Sequence, residues 1–189
     1  MAFKNDQVSY EETEKILELA KKSLASPGDF VELGCYKGDT SLLLAEVLKD
    51  TDHILYIYDS FEGLPEKSEE DSSTLGENFK GGELYVTKRE VKERFLRAGL
   101  KVPVIKKAWF NELTDADLPD RISFSFLDGD FYESIRDSLK LIENKTDGII
   151  IVHDYLNPAL PGVKKAVDEW LAKRNIKTKT YKSMIIIND

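Results

Sequence analysis

An open, doubly wound α/β sheet of about seven strands is predicted for this chain, mostly parallel, with helices on both faces. Three observations carry that expectation. Short β-branched or aromatic runs alternate along the chain with stretches of helical periodicity. The predicted strands at 30–33, 54–58, 122–127 and 148–152 each run into a polar or glycine-rich cluster. The last two apolar runs, 177–181 and 184–187, are separated only by Lys182-Ser183, which predicts a closing antiparallel hairpin. A length of 189 residues suffices for one such sheet and is too little for two, so 1–189 reads as a single domain.

The elements follow in order. Ser9 and Glu12 have the spacing of a capping box, so a helix starts near Tyr10. Ile16, Leu17, Ala20 and Leu24 share one face of it, and Pro27-Gly28 ends it, making 1–29 an N-terminal helical segment. The strand at 30–33 enters Gly34, and Leu43, Leu44 and Val47 repeat at helical spacing from Thr40. Residues 54–58 (ILYIY) form a buried strand. The stretch 60–86, with its glycines and its acidic, serine-rich middle, reads as a lid-like loop insertion. Thr87 and Glu90 make a second capping box, opening a helix to about Ala98. Strands are expected at 102–106, 122–127 and 148–152. Ile135, Leu139 and Ile142 mark a helix, and Val163, Ala166, Val167, Trp170 and Leu171 mark another. The whole is a Rossmann-like order.

Composition excludes several functions. Lys plus Arg total 27 against 35 Asp plus Glu, a net charge of −8, the wrong sign for a partner that tracks nucleic-acid phosphates. A single cysteine, Cys35, rules out an internal disulfide or a multi-cysteine zinc site and reads as a small packed residue. The longest apolar runs, such as Gly148–Val152, fall far short of the ~20 residues of a membrane span, and the polar N-terminus has no signal core. A cytoplasmic protein without membrane partners is the expectation. His53 is expected at the surface.

In a doubly wound sheet, ligands bind beyond the carboxyl ends of the strands. Glu32-Leu33-Gly34 through Gly38 meets neither the dinucleotide fingerprint nor a P-loop, which argues against a nicotinamide enzyme. It suits an adenosine ligand without phosphate, or simply a turn. Asp59 closes the next strand, where an acid either accepts from ribose hydroxyls or caps a turn. Asp128, His153 and Asp154 come from the ends of two strands that should be neighbours, with Asp130 two residues beyond Asp128. Carboxylates suit Mg²⁺, and imidazole suits Mn²⁺ and later metals better. The alternative is structural. Asp130 would cap the helix near Tyr132, Asp154 would open a turn before Pro158, and His153 would be a hydrogen-bonded core histidine.

The segments FVELGCYKGDTS (30–41), DSFEGLP (59–65), KKAWFNEL (106–113), FLDGDFYESIRDSL (126–139) and HDYLNPALPGVKKAVDEW (153–170) resemble those of the macrocin-type sugar O-methyltransferases. These are class I S-adenosylmethionine enzymes of antibiotic tailoring. The resemblance implies that Glu32, Gly34, Gly38 and Ser41 line the methionyl side of the cofactor. It implies Asp59, Ser60 and Phe61 at the ribose, and Ala108 and Trp109 near the adenine. Asp128 and Asp154 would bind a divalent metal, normally magnesium, and Asp130 would be the general base. The substrate would be a sugar or other small-molecule vicinal diol, and the enzyme could form a homo-oligomer.

Two departures stand out. His153 occupies a position where the family has aspartate, which leaves the choice between Mg and Mn open. Family members also carry a longer N-terminal region over the substrate, so the macrolide and aminocoumarin substrates do not carry over. Two other readings compete: a metal-independent methyltransferase with His153 as base, and a non-catalytic cofactor-binding domain.

Overall fold

The structure, a computed structural model, describes residues 5–76 and 79–189. Its strands are β1 (Asp29–Leu33), β2 (Leu55–Asp59), β3 (Val104–Lys107), β4 (Ile122–Leu127), β5 (Thr146–Val152), β6 (Thr178–Tyr181) and β7 (Met184–Ile187). They form one sheet in the order β3-β2-β1-β4-β5-β7-β6. The first five are parallel, while β7 runs antiparallel to both β5 and β6. The predicted mixed sheet with a terminal hairpin is therefore the observed one.

Alternation along the strands sorts the core into two layers. Phe30, Ile57, Phe124, Phe126, Ile149 and Ile151 face helices α1 (Tyr10–Ser23), α2 (Asp39–Leu48) and α3 (Lys88–Ala98). Val31, Leu33, Tyr58, Leu127, Ile150 and Val152 face α4 (Tyr132–Ile142) and α5 (Pro161–Leu171). A central strand buried on both sides has no polar face, which is why β4 is buried throughout. Its Ser123 hydroxyl donates to the Gly28 carbonyl at 3.0 Å, so that buried polar group is satisfied. Among the described residues no helix is long and apolar enough to cross a membrane.

The strand order reverses between β1 and β4, and that switch point brings the carboxyl ends of β1, β2, β4 and β5 together.

One expectation gains detail and another needs correction. The described part of 60–86 is loop with local order. It contains two 3-10 turns, Glu69–Asp71 and Thr74–Gly76. Asp71 is buried and accepts from the Tyr132 amide at the start of α4 (2.7 Å), and Ser73 donates to the Pro158 carbonyl (3.0 Å). The polarity read as loop character is largely capping chemistry. His53 is half-buried rather than surface-exposed. Its ring nitrogens lie 2.6 Å from the Gly28 carbonyl and 3.2 Å from that of Leu24, tying the end of α1 to the sheet.

Candidate active site

One cleft lies over the switch point, lined among others by Glu32, Gly34, Asp59, Ser60, Trp109, Asp128, Asp130, His153 and Asp154. Four of the non-glycine residues with positive φ follow its strand ends: Tyr36 after β1, Phe61 after β2, Asp130 after β4 and Asp154 after β5. Backbone held in this costly region concentrates where function over-determines it.

The β1–β2 side is built around backbone amides. Gly34 has φ +89°, and a Cβ there would stand 2.2 Å from the Asp128 carbonyl oxygen, so β1 and β4 approach closely only because this residue is glycine. Asp59 Oδ2 accepts from the amides of Cys35 (2.9 Å) and Tyr36 (3.2 Å), and its Oδ1 accepts from Phe61 (2.7 Å). The carboxylate thus organises two turns and retains one lone pair. The turn role of Asp59 is therefore real. It coexists with a place on the cleft wall. The Ala108 amide continues the ladder onto the Asp59 carbonyl at 3.0 Å. Glu32 is buried and accepts from the Ser41 hydroxyl. Burial pushes its carboxyl up to about 8 against that hydrogen bond, and the charges of Asp128, Asp59 and Asp39 add to the rise. Gly38, with φ +80°, is the N-cap of α2.

The β4–β5 side is built from side chains. The Asp128 amide donates to Leu33 and the His153 amide to Leu127, at 2.9 and 3.0 Å, extending both ladders into the cleft. His153 Nδ1 lies 3.1 Å from Asp128 Oδ1 and 2.8 Å from Asp154 Oδ2. The Asn157 amide donates to Asp154 Oδ1 at 2.8 Å. Burial alone would favour the neutral imidazole, but the carboxylates of Asp128, Asp154 and Glu12 outweigh it and hold the ring protonated well above its ordinary range. Burial, then the charges of Asp128 and Asp154, raise Asp130 well above the usual carboxylate range.

The proposed capping role of Asp130 is not what the structure shows. The N-cap of α4 is Phe131 and makes no side-chain cap, and the Tyr132 amide is taken by Asp71.

A divalent cation fits this cluster. Asp128, His153 and Asp154 each offer a ligand atom, and these atoms lie within 4.8 Å of one another. The charges of Asp128 and Asp154 that push Asp130 up are charges a cation held between them would balance.

Gly38, Ser41, Phe61 and Ala108 are not among the residues lining the cleft. They support Glu32, Asp59 and the start of α2 from behind. Sequence reasoning missed Leu64, Pro65, Phe79, Leu84 and Phe110 on the apolar wall, and Asn157 and Ser134 on the polar one. Asn157 lies within the HDYLNP run, which was a usable signal. Phe79 and Leu84 lie in the segment read as a lid. Glu12, whose Oε2 is 3.9 Å from His153 Nε2, was read only as a capping residue.

Comparison with known proteins agrees with this geometry. A model of the macrocin O-methyltransferase (TylF) family matches residues 12–184. The chain is 30% identical over 160 residues to a demethyldecarbamoylnovobiocin O-methyltransferase of Streptomyces niveus, a match covering 79% of this chain and 60% of the relative. It is 30% identical over 161 residues to an 8-demethyl-8-(2,3-dimethoxy-alpha-L-rhamnosyl)-tetracenomycin-C 4'-O-methyltransferase of Streptomyces olivaceus, again covering 79% and 60%. The chain thus spans 60% of the length of these two relatives. Its structure superposes on that of the O-methyltransferase NovP with a TM-score of 0.82 at 26% identity, covering 95% of this chain and 80% of that one. A calicheamicin methyltransferase, at 16% identity and a TM-score of 0.79, shares the fold over 98% of this chain and 80% of its own. With the family's pattern spanning nearly all of its sheet and both halves of the cleft, this chain belongs to the macrocin O-methyltransferase family.

Proposed function

We propose that this chain methylates a hydroxyl of a sugar or other vicinal-diol small molecule, using S-adenosylmethionine and a divalent cation, Mg or Mn. The observation that carries this reading is the juxtaposition, in one cleft, of an amide-organised glycine loop and a cluster of acids around one imidazole. The family supports the donor, and the rhamnosyl acceptor in the name of the tetracenomycin relative supports the substrate class.

The sulfonium of S-adenosylmethionine is an activated methyl donor, so the hard chemistry belongs to it. A divalent cation lowers the pKa of a hydroxyl bound to it. The chain supplies the rest. Glu32, Gly34, Asp59, Ser60 and Trp109 receive the donor, backed by Gly38, Ser41, Phe61 and Ala108. Asp128, His153 and Asp154 hold the cation. Asp130, on the cleft wall two residues beyond Asp128, accepts the proton of the attacking hydroxyl. Holding acceptor and donor in line supplies much of the remaining acceleration. His153 is a poor base in this setting, because the flanking carboxylates stabilise its protonated form. A cation would displace the proton on Nδ1.

The test pairs calorimetry with turnover. S-adenosylhomocysteine should bind with and without chelator, while transfer to a panel of sugar diols should require Mg²⁺ or Mn²⁺. Turnover unaffected by thorough chelation overturns the metal role. Failure to bind S-adenosylhomocysteine overturns the donor.

A further inference from the structure

We infer that Glu12, in the first turn of α1, is the positioning residue for His153, and that the pair tunes the acid cluster to an ion that accepts imidazole nitrogen, of the manganese class, over magnesium. The inference deepens the cation reading above and rests on it.

His153 is 6% exposed, and its two ring nitrogens face different neighbours. Nδ1 faces Asp128 and Asp154. Nε2 is buried and has no hydrogen-bond partner among the described residues, and Glu12 Oε2 stands 3.9 Å away. A histidine that ligates through one nitrogen carries its proton on the other, and a carboxylate there fixes the tautomer and ring orientation. Only Nδ1 faces Asp128 and Asp154, so ligation through it leaves the proton on Nε2, facing the Glu12 carboxylate.

Glu12 is built for more than capping. A capping box needs only the reciprocal bonds with Ser9, and these are present: the Glu12 amide donates to the Ser9 hydroxyl at 3.3 Å and the Ser9 amide to Oε2 at 3.3 Å, with the Ser9 hydroxyl also donating to Oε2 at 2.6 Å. Oε1 is held separately. It accepts from the Ser183 hydroxyl (2.5 Å) and amide (2.9 Å), in the turn between β6 and β7 at the far end of the chain. Burying a carboxylate is costly, and Glu12 is 6% exposed. Four donor bonds from two distant segments anchor it behind the imidazole. A cap explains the Ser9 bonds and leaves the Ser183 bonds and the burial unexplained.

The donor set then indicates the ion. Mg²⁺ favours oxygen ligands and retained waters. One imidazole beside two carboxylates favours Mn²⁺ and the later first-row ions.

The experiment titrates MnCl2 and MgCl2 into the full chain saturated with S-adenosylhomocysteine, by calorimetry and by electron paramagnetic resonance of the Mn²⁺. Wild type should bind Mn²⁺ about tenfold or more tighter than Mg²⁺, with nitrogen coupling in the spin-echo spectrum that His153→Asp abolishes. Glu12→Gln should weaken Mn²⁺ by about 10–100-fold and narrow the Mn/Mg ratio. Ser183→Ala, which removes one of the two donors to Oε1 and leaves the amide bond and the cap, should lower Mn²⁺ affinity and narrow the Mn/Mg ratio to a smaller degree, and serves if Glu12→Gln does not fold. A Mn²⁺ spectrum without nitrogen coupling, or variants that weaken both ions in step, overturns this inference and leaves the cation reading standing. No binding of either ion to wild type overturns both.

Discussion

The two halves of the cleft use the same residue type in opposite ways. On the β1–β2 side, Asp59 is satisfied by three backbone amides and Glu32 by one hydroxyl. On the β4–β5 side, Asp128, Asp130 and Asp154 meet one imidazole and one amide group. The first half spends its acids on hydrogen bonds within the fold, Asp59 on backbone amides and Glu32 on the Ser41 hydroxyl. The second half accumulates charge that its own donors do not balance. Environment, rather than residue type, separates the two sides: hydrogen-bonded scaffold on one, and on the other the clustered acids to which the proposed function gives cation and proton chemistry.

The contrast is broken most directly at Asp130. Asp130→Asn should lower methyl transfer by about 10²–10⁴-fold, the usual worth of a positioned base. Thermal stability should hold or rise, because the change relieves repulsion with Asp128 and Asp154 and removes no cap. Single-turnover rates and melting curves on the same preparation check both halves. Near-normal transfer removes Asp130 as the base, and a marked fall in Tm makes it scaffold.

Asp59 is the opposite case. Asp59→Ala leaves three backbone donors without their acceptor and should cost about 2–4 kcal/mol of stability, together with affinity for S-adenosylhomocysteine. Urea unfolding and calorimetry measure the two. Unchanged stability would mean that the β1–β2 side is not held by its acids, and the comparison fails.

How much of this could be read in advance depends on the range of each contact. The β4 strand was legible residue for residue, because a run buried on both faces is continuously apolar apart from small serines. Both long-helix capping boxes, Ser9 with Glu12 and Thr87 with Glu90, were legible because their partners lie three residues apart. The strand-end rule also gathered Asp59, Asp128, Asp130, His153 and Asp154 into one cleft. Contacts across the chain were not legible. Asp71 caps α4 from the middle of a segment whose composition looks like loop, and nothing local in it points to Tyr132. Glu12 matched a local motif so well that its second set of bonds, to Ser183, had no separate signature. Motifs report neighbours in sequence, whereas the acid cluster and its supports are joined by topology.

The comparison is sharpened at Glu32, through pH. Its folded value, about 8, lies above its ordinary 4.5. The native state therefore keeps a proton that the unfolded chain releases between those values. The stability contributed by this group is full below about 4.5 and is lost as pH rises through about 8. Glu32→Gln imitates the protonated carboxyl and retains an acceptor for Ser41, so it should remove that loss. The stability of wild type minus variant should decline steadily from pH 5 to pH 8.5, as measured by urea unfolding of both chains without ligand. A flat difference would mean that Glu32 ionises like an exposed acid. The β1–β2 side would then carry a buried charge beside that of Asp59, and the division between a hydrogen-bonded scaffold and a cluster of unbalanced acids would lose its basis.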